Sequence, residues 1–70
     1  MSEYVTVRPF LTVQEAARRL GISRTAAYML ARRWLESSGS EGIPAVRIGR
    51  SIRVPEAAFE QWARGLPFQS

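Results

Sequence analysis

The sequence contains no cysteine and no histidine. Without cysteine the chain can form neither disulfides nor thiolate metal sites, and without histidine it lacks the side chain that most often acts as a base near neutral pH. The two absences together remove most zinc chemistry. The acidic residues are all glutamates, spread along the chain without an obvious pair. We therefore expect no catalysis and no metal or other cofactor.

Lysine is also absent, so all ten basic residues are arginines, and the net charge is +4. The planar guanidinium donates hydrogen bonds in pairs, which suits phosphate groups and the edges of bases. A GC-rich genome would produce the same arginine bias, and the two explanations are compatible. The balance of charge favours nucleic acid as the partner.

The chain is short and has no segment suited to a membrane. Seventy residues make at most one domain, which we expect over residues 1–70 with its core in residues 10–66. No apolar run approaches the ~20 residues of a membrane span. The first residues lack the charged and apolar regions of a signal peptide. We expect a cytoplasmic, DNA-associated protein with no membrane contact and no small-molecule ligand.

Two helices separated by a tight turn are predicted in the first half. Thr12 and Glu15 fit a capping box. The following apolar residues recur along one helical face, at Val13, Ala16, Ala17 and Leu20. Gly21 should end this helix, and Ser23 should cap a second one that runs to about Glu36. The inward stripe of the second helix is expected at Ala27, Leu30, Ala31 and Trp34. Such a pair is typical of a helix-turn-helix.

Apolar residues alternate with arginines over residues 46–54, which predicts a β-hairpin that we call the wing. The apolar positions are Val46, Ile48, Ile52 and Val54. A two-residue turn would pair Ile48 with Ser51, whereas a three-residue tip pairs Ile48 with Ile52 and Val46 with Val54. Only the second register keeps both apolar sets on one face, so we expect it. It also sets Arg47 opposite Arg53, a repulsion that a nearby phosphate would remove.

A third helix should follow the wing. Pro55 suits its first turn, with Glu56 near its positive end. Its buried stripe is expected at Ala58, Phe59, Trp62 and Leu66, with Gly65 and Pro67 ending it. Residues 37–42 read as a flexible loop, and Tyr4, Val5 and Val7 as a brief extended segment. The predicted fold is mainly α with a small β-hairpin: a winged helix-turn-helix of three helices and a two-stranded wing.

Two segments resemble the excisionase family of small winged helix-turn-helix proteins, which are related in fold to the DNA-binding domains of MerR-type regulators. They are F-L-T-V-Q-E-A-A-R-R-L-G-I-S-R-T-A-A-Y and I-P-A-V-R-I-G-R-S-I-R-V-P-E-A-A-F-E-Q-W. The resemblance spans about residues 10–64, and the intervening R-W-L-E-S-S-G-S-E-G is longer than usual for the family. A MerR-type regulator would add a long dimerisation helix and an effector domain, and we expect neither in this chain.

The resemblance implies a recombination directionality factor. Such an excisionase binds adjacent sites in an attachment region of double-stranded DNA, associates head-to-tail on it and bends it. It thereby helps a phage integrase, a tyrosine or serine recombinase, to excise a prophage or mobile element. One alternative is a small transcriptional regulator with the same DNA chemistry. Another is a protein-interaction module such as an anti-repressor. RNA binding is less favoured, because no exposed aromatic platform is evident.

The second helix is expected to read bases in the major groove with its N-terminal part. The expected contacts of this reading helix are Ser23, Arg24, Thr25, Tyr28 and Arg32. Arg24 can pair with guanine, and Thr25 can contact a thymine methyl or a phosphate. Ser23 can serve as a cap alone, and Tyr28 can simply pack half-buried.

The wing is the second expected contact, at the minor groove or its flanking phosphates. Narrow minor grooves attract arginine through their concentrated negative potential. The expected wing contacts are Arg47, Arg50, Ser51 and Arg53. Phosphate contact and plain solvation both remain open for Arg18, Arg19 and Arg33. The large aromatics Trp34, Phe59 and Trp62 are expected in the core, since they fit helical apolar stripes.

Overall fold

The computed structural model describes residues 9–66. The elements follow in the order β1 (Phe10–Thr12), α1 (Val13–Leu20), α2 (Arg24–Glu36), β2 (Val46–Ile48), β3 (Ser51–Pro55) and α3 (Glu56–Arg64). The three helices and the wing are confirmed. The strands form one antiparallel sheet in the order β1-β3-β2, so the sheet has a third strand that the sequence did not predict. The extended segment expected at Tyr4, Val5 and Val7, and Pro67 as a helix stop, lie outside the described residues.

The helix pair is built by local capping interactions. Thr12 Oγ1 accepts the Glu15 N–H at 3.0 Å, and Glu15 Oε1 accepts the Thr12 N–H at 2.9 Å, which confirms the capping box. Gly21 ends α1 with a φ of 72°, a left-handed conformation that glycine adopts without a steric penalty. Ser23 Oγ then accepts the Ala26 N–H at 3.0 Å and caps α2. Only three residues separate the helices, as predicted.

The core lies between the helix pair, α3 and one face of the sheet. Leu11, Ile43 and Val54 are its largest fully buried side chains. The inward stripes of α1 and α2 are confirmed: five of their residues are buried, and Leu20, Leu30 and Trp34 are partly buried against them. The buried helical residues are Val13, Ala16, Ala17, Ala27 and Ala31. Among the described residues, no helix is long and apolar enough to cross a membrane.

The predicted stripe of α3 is half right. Phe59 is 3% exposed, and its ring centroid lies 5.9 Å from that of Trp62, which packs against the core. Ala58 is exposed, because the next residue along a helix is rotated by about 100° and Phe59 already faces the sheet. Leu66 is 41% exposed, because α3 ends at Arg64 and the chain leaves the helical face.

The register expected for the wing is wrong. The structure pairs Ile48 with Ser51 and Val46 with Arg53, so the turn has two residues, Gly49 and Arg50. Gly49 has a φ of 61° and Arg50 a negative φ, the pattern of a type II′ turn, whose twist matches that of a hairpin. The geometry of the two-residue turn therefore sets the register of the wing, and the pairing of apolar residues across the two strands does not.

The core accepts this register because it uses only one strand of the wing. Ile52 and Val54 on β3 are buried, whereas β2 lies at the sheet edge with Val46 half-buried and Ile48 half-exposed. Ala45, just before β2, supplies the core contact instead, with 5% exposure. The alternation of apolar and basic residues along β2 therefore does not indicate which face of this strand is buried.

The segment between α2 and the wing is a compact turn. Ser37 Oγ accepts the backbone N–H groups of Ser40 and Glu41 at 3.2 and 3.0 Å. The Ile43 N–H then donates to the carbonyl oxygen of Leu30 at 3.2 Å. A Cβ on Gly42 would lie 2.1 Å from that same oxygen, so the backbone passes against the middle of α2. The loop expected to be flexible is therefore anchored to α2 by backbone hydrogen bonds.

Candidate nucleic-acid interface

The first turns of α2 present polar side chains to solvent. Thr25, Tyr28 and Arg32 are exposed and lie three and four residues apart, so they share one side of the helix. Arg24 is exposed beside them. Ser23 is exposed as well, but its Oγ is already engaged as the cap of α2. The structure thus places the five residues expected for the reading helix on exposed positions from the N-cap of α2 to just past its middle.

A shallow cleft of about 210 Å³ joins this end of α2 to the wing. We call it the arginine cleft; its lining comes from α1, α2, β1 and β3 and consists of Thr12, Val13, Gln14, Arg24, Tyr28 and Arg53. Within residues 9–66, neither Arg24 nor Arg53 forms an ion pair with a carboxylate. Arg53 Nη1 donates to the Ile52 carbonyl oxygen at 3.1 Å, which fixes its position. Two guanidinium groups in one cleft without an acidic partner favour an anion.

Strand β1 explains why the cleft could not be foreseen. Thr12 pairs with Arg53 across β1 and β3, and this pairing brings the start of α1 beside the wing. Sequence reasoning assigned Thr12 only to capping and gave Gln14 no role. The sole sequence signal for Gln14 was its outward position in the first turn of α1.

The arginines of the wing lie on different faces of the sheet. Residues paired across strands share a face, and neighbours along a strand alternate. Arg53 pairs with Val46 and Thr12, on the face of the arginine cleft. Arg47 pairs with the buried Ile52 and so belongs to the opposite face, where it is exposed at the sheet edge. The expectation that Arg47 and Arg53 lie opposite each other is therefore wrong, and the repulsion inferred from it does not arise.

The tip of the wing is open to solvent. Arg50 and Ser51 are both exposed, and Arg50 follows Gly49 at the turn. Within the described part of the chain, neither Arg47 nor Arg50 forms an ion pair. The wing thus offers Arg50 at its tip and Arg53 towards the reading helix, with Arg47 on the far side.

Of three further arginines, two are ion-paired with glutamates and the third is not, as far as residues 9–66 show. Arg19 lies 3.0 Å from Glu56 and 3.7 Å from Glu60, and Arg33 lies 3.5 Å from Glu41. Arg18 is exposed and, over residues 9–66, has no such carboxylate partner. It follows Gln14 by one helical turn, so it continues the side of α1 that borders the arginine cleft.

Comparison with known proteins identifies the domain. A family model described as a helix-turn-helix domain matches residues 10–67. A curated protein of Saccharopolyspora erythraea, named "Probable excisionase", is 44% identical over 59 residues, which are 84% of this chain and 53% of that relative. The chain therefore spans about half the length of this relative. No solved structure is a significant match.

Proposed function

Because the chain belongs to the helix-turn-helix domain family, we propose that it binds double-stranded DNA sequence-specifically and acts as an excisionase. The observation that carries the proposal is the arginine cleft, in which Arg24 of the reading helix and Arg53 of the wing line one concave surface. Such a surface suits a DNA backbone that runs between a major groove and the neighbouring minor groove. The protein itself makes and breaks no covalent bond in this role.

The reading helix enters the major groove in this proposal. Arg24 donates its paired N–H groups to a guanine, and Thr25 and Tyr28 contact neighbouring base edges or sugars. Arg32, one turn beyond Tyr28, contacts the backbone. The Oγ of Ser23 accepts the Ala26 N–H and so caps α2. Its hydroxyl hydrogen can still donate to a phosphate.

The wing lies over the adjacent minor groove. Arg50 and Ser51 at its tip meet the groove or its walls, and Arg53 meets the phosphate that crosses the arginine cleft. Arg47 faces the other side of the sheet and would reach a phosphate further along the duplex. Arg18 extends the phosphate contacts along α1, whereas Arg19 and Arg33 are engaged by carboxylates.

The excisionase role rests on the relative of that name at 44% identity and on the resemblance of the sequence. In this role copies bind adjacent sites in an attachment region and contact one another head-to-tail. Together they bend the DNA so that an integrase, a tyrosine or serine recombinase, assembles the excisive complex. The surfaces proposed for self-association are residues 37–42 or the wing of one copy and the terminal segments of the next.

An excision assay tests the proposal directly. An integrase encoded beside the gene is incubated with its attachment-site DNA, with and without this chain, and recombined product is measured. Excision should depend on the chain and should be lost in the Arg24→Ala, Arg53→Ala double variant, while Arg19→Ala retains it. Salt-sensitive binding to one palindrome without any effect on excision would favour a transcriptional regulator instead. Absence of salt-sensitive DNA binding would favour a protein-interaction module.

A further inference from the structure

One large apolar side chain of the wing is left unpacked by the observed register. Ile48 is the last residue of β2, directly before the turn, and is 50% exposed. On the facing strand, Ile52 and Val54 are buried in the core. A single exposed isoleucine is ordinary on a protein surface. What distinguishes Ile48 is where the register puts it.

Ile48 lies on the face of the sheet that leads to the arginine cleft. It pairs with Ser51, and Arg53 is the next residue on that face of β3. Arg53 in turn lines the arginine cleft with Arg24 of the reading helix. Ile48 is therefore the apolar end of one continuous surface that begins at the reading helix.

The surroundings of Ile48 are strongly basic. Arg47 precedes it, Arg50 follows at the turn and Arg53 lies diagonally across the strands. Residues 46–55 contain no acidic residue, and the chain carries a net charge of +4. A nucleic acid brings the opposite charge to this face of the wing. Charge complementarity thus selects DNA as the occupant.

We propose that Ile48 is an apolar wedge that inserts at a base step in the minor groove and kinks the duplex. This inference rests on the proposed function, because it requires the wing to meet DNA. Minor-groove proteins that bend DNA insert side chains such as isoleucine between bases, and the duplex then bends towards the major groove. Arg50 and Arg53 hold the groove walls on either side of the wedge. Pyrimidine–purine steps are the most easily kinked and unstacked. The wing should therefore prefer TA or CA steps, although it forms no hydrogen bonds to their bases.

The test measures bending and unstacking separately from binding. The probe is a single-site duplex selected from a randomised library with the full chain, labelled at its ends for energy transfer. A second form carries the fluorescent adenine analogue aminopurine at the wing step. The wild type should shorten the end-to-end distance and raise aminopurine fluorescence. Ile48→Ala should lose most of both signals while affinity falls less than about tenfold.

Two control variants sharpen the comparison. Ile48→Leu keeps an apolar wedge of similar volume and should retain bending and fluorescence. Met29→Ala removes an apolar side chain that is 61% exposed on α2, and it should leave both signals unchanged. Thermal melting checks that each variant is folded, and the aminopurine signal of the wild type tests the wedge even if Ile48→Ala does not fold.

Two results would reject the insertion of Ile48 and leave the proposed function intact. The first is bending and aminopurine fluorescence that persist in Ile48→Ala. The second is a wild type that bends DNA with no aminopurine signal at any wing step. Normal single-site bending by Ile48→Ala with lost cooperativity on a two-site duplex would instead assign Ile48 to a neighbouring copy. A wild type that binds no duplex in a salt-dependent way would reject the proposed function itself, and the wedge with it.

Discussion

The guanidinium of Arg19 lies 3.0 Å from the carboxylate of Glu56, a contact that links α1 to the first turn of α3 across 37 positions of sequence. Glu60, one turn further along α3, lies 3.7 Å from the same arginine. The adjacent Arg18 is exposed on the side of α1 that carries Gln14 of the arginine cleft. Two neighbouring arginines thus have different environments: Arg19 is ion-paired to α3 at the surface, and Arg18 lies towards the candidate interface.

This difference predicts separable effects of two substitutions. Arg18→Ala should weaken DNA binding and reduce the salt dependence by about one unit, because one phosphate contact is lost. Arg19→Ala should leave DNA affinity nearly unchanged and lower the free energy of unfolding by only ~0.2–1 kcal/mol, since the ion pair is solvent-exposed. Gel-shift titrations at several salt concentrations and urea unfolding measure the two effects. A larger loss of DNA affinity in Arg19→Ala than in Arg18→Ala would contradict the assignment.

DNA affinity should be mainly electrostatic. If α1, the reading helix and the wing together neutralise about four phosphates, log affinity should fall against log salt with a slope of roughly −3.5. The arginines proposed for these contacts are Arg18, Arg32, Arg50 and Arg53, and within residues 9–66 none of them forms an ion pair with a carboxylate. Fluorescence anisotropy on a short duplex measures the slope. A nearly flat titration would remove the basis for DNA binding.

The reading helix and the wing should give different mutant phenotypes. Arg24→Ala should lose roughly 1–3 kcal/mol on the specific site and flatten base preference at one position. Arg50→Ala should weaken binding evenly across sequences and reduce the salt slope by about one unit. Binding measured on a panel of single-base variants of the site distinguishes the two patterns. Equal changes of sequence preference in both variants would show that the division of roles is wrong.

Assembly on DNA should depend on neighbouring sites. A single module buries only ~600–1,000 Å² of protein surface on DNA, which limits the specificity of one copy. The described helices are 8, 13 and 9 residues long, too short to form a coiled-coil dimer. We expect a protein that is monomeric or weakly associated when free and that binds direct repeats cooperatively with a measurable bend. Head-to-tail contacts of this kind extend along DNA and do not close into a dimer.

Ultracentrifugation, gel-shift titration on two-site fragments and circular-permutation bend analysis test this expectation together. A fragment in which one of the two repeats is scrambled serves as the control for cooperativity. A stable free dimer that binds one palindrome without bending it would reject the excisionase mechanism and support a transcriptional regulator.

The close approach at Gly42 predicts a large effect of a single methyl group. Gly42→Ala combines a φ of 98° with a Cβ 2.1 Å from the Leu30 oxygen, so strain and steric overlap add. Gly21→Ala has a φ of 72° but meets nothing within 4 Å, so it should lose only the ~1–2 kcal/mol of left-handed strain. Thermal unfolding followed by circular dichroism should show a clearly lower midpoint for Gly42→Ala. Equal losses in the two variants would contradict a steric role for this contact.

The parts of the fold that depend on local sequence could be predicted. The Thr12 capping box, the Gly21 stop and the Ser23 cap each involve residues within a few positions of one another, and all three are found. Strand β1 was missed, because Leu11 becomes a strand residue only by pairing with the distant Val54. The register of the wing was missed because Gly49 selects a two-residue turn, and a pattern of apolar residues does not contain that preference.

The candidate site divides in the same way. The residues expected to contact DNA from α2 share its exposed side, because helical periodicity alone sets the side of the helix on which they lie. The relation between Arg53 and the reading helix depends on β1, and the engagement of Arg19 depends on α3, so neither could be read from spacing. Contacts between residues distant in sequence therefore decide that Arg53 lines the cleft and that Arg19 is ion-paired.

The hydrogen bond from the Ile43 N–H to the Leu30 oxygen has a mechanical consequence. It ties the chain entering β2 to the middle of the reading helix, only a few residues before the wing begins. The offset between the reading helix and the wing is thus set by a contact inside the protein. In the proposed complex, a duplex whose grooves do not match that offset has to twist or bend to engage both elements, so the deformability of the DNA becomes part of what the protein selects.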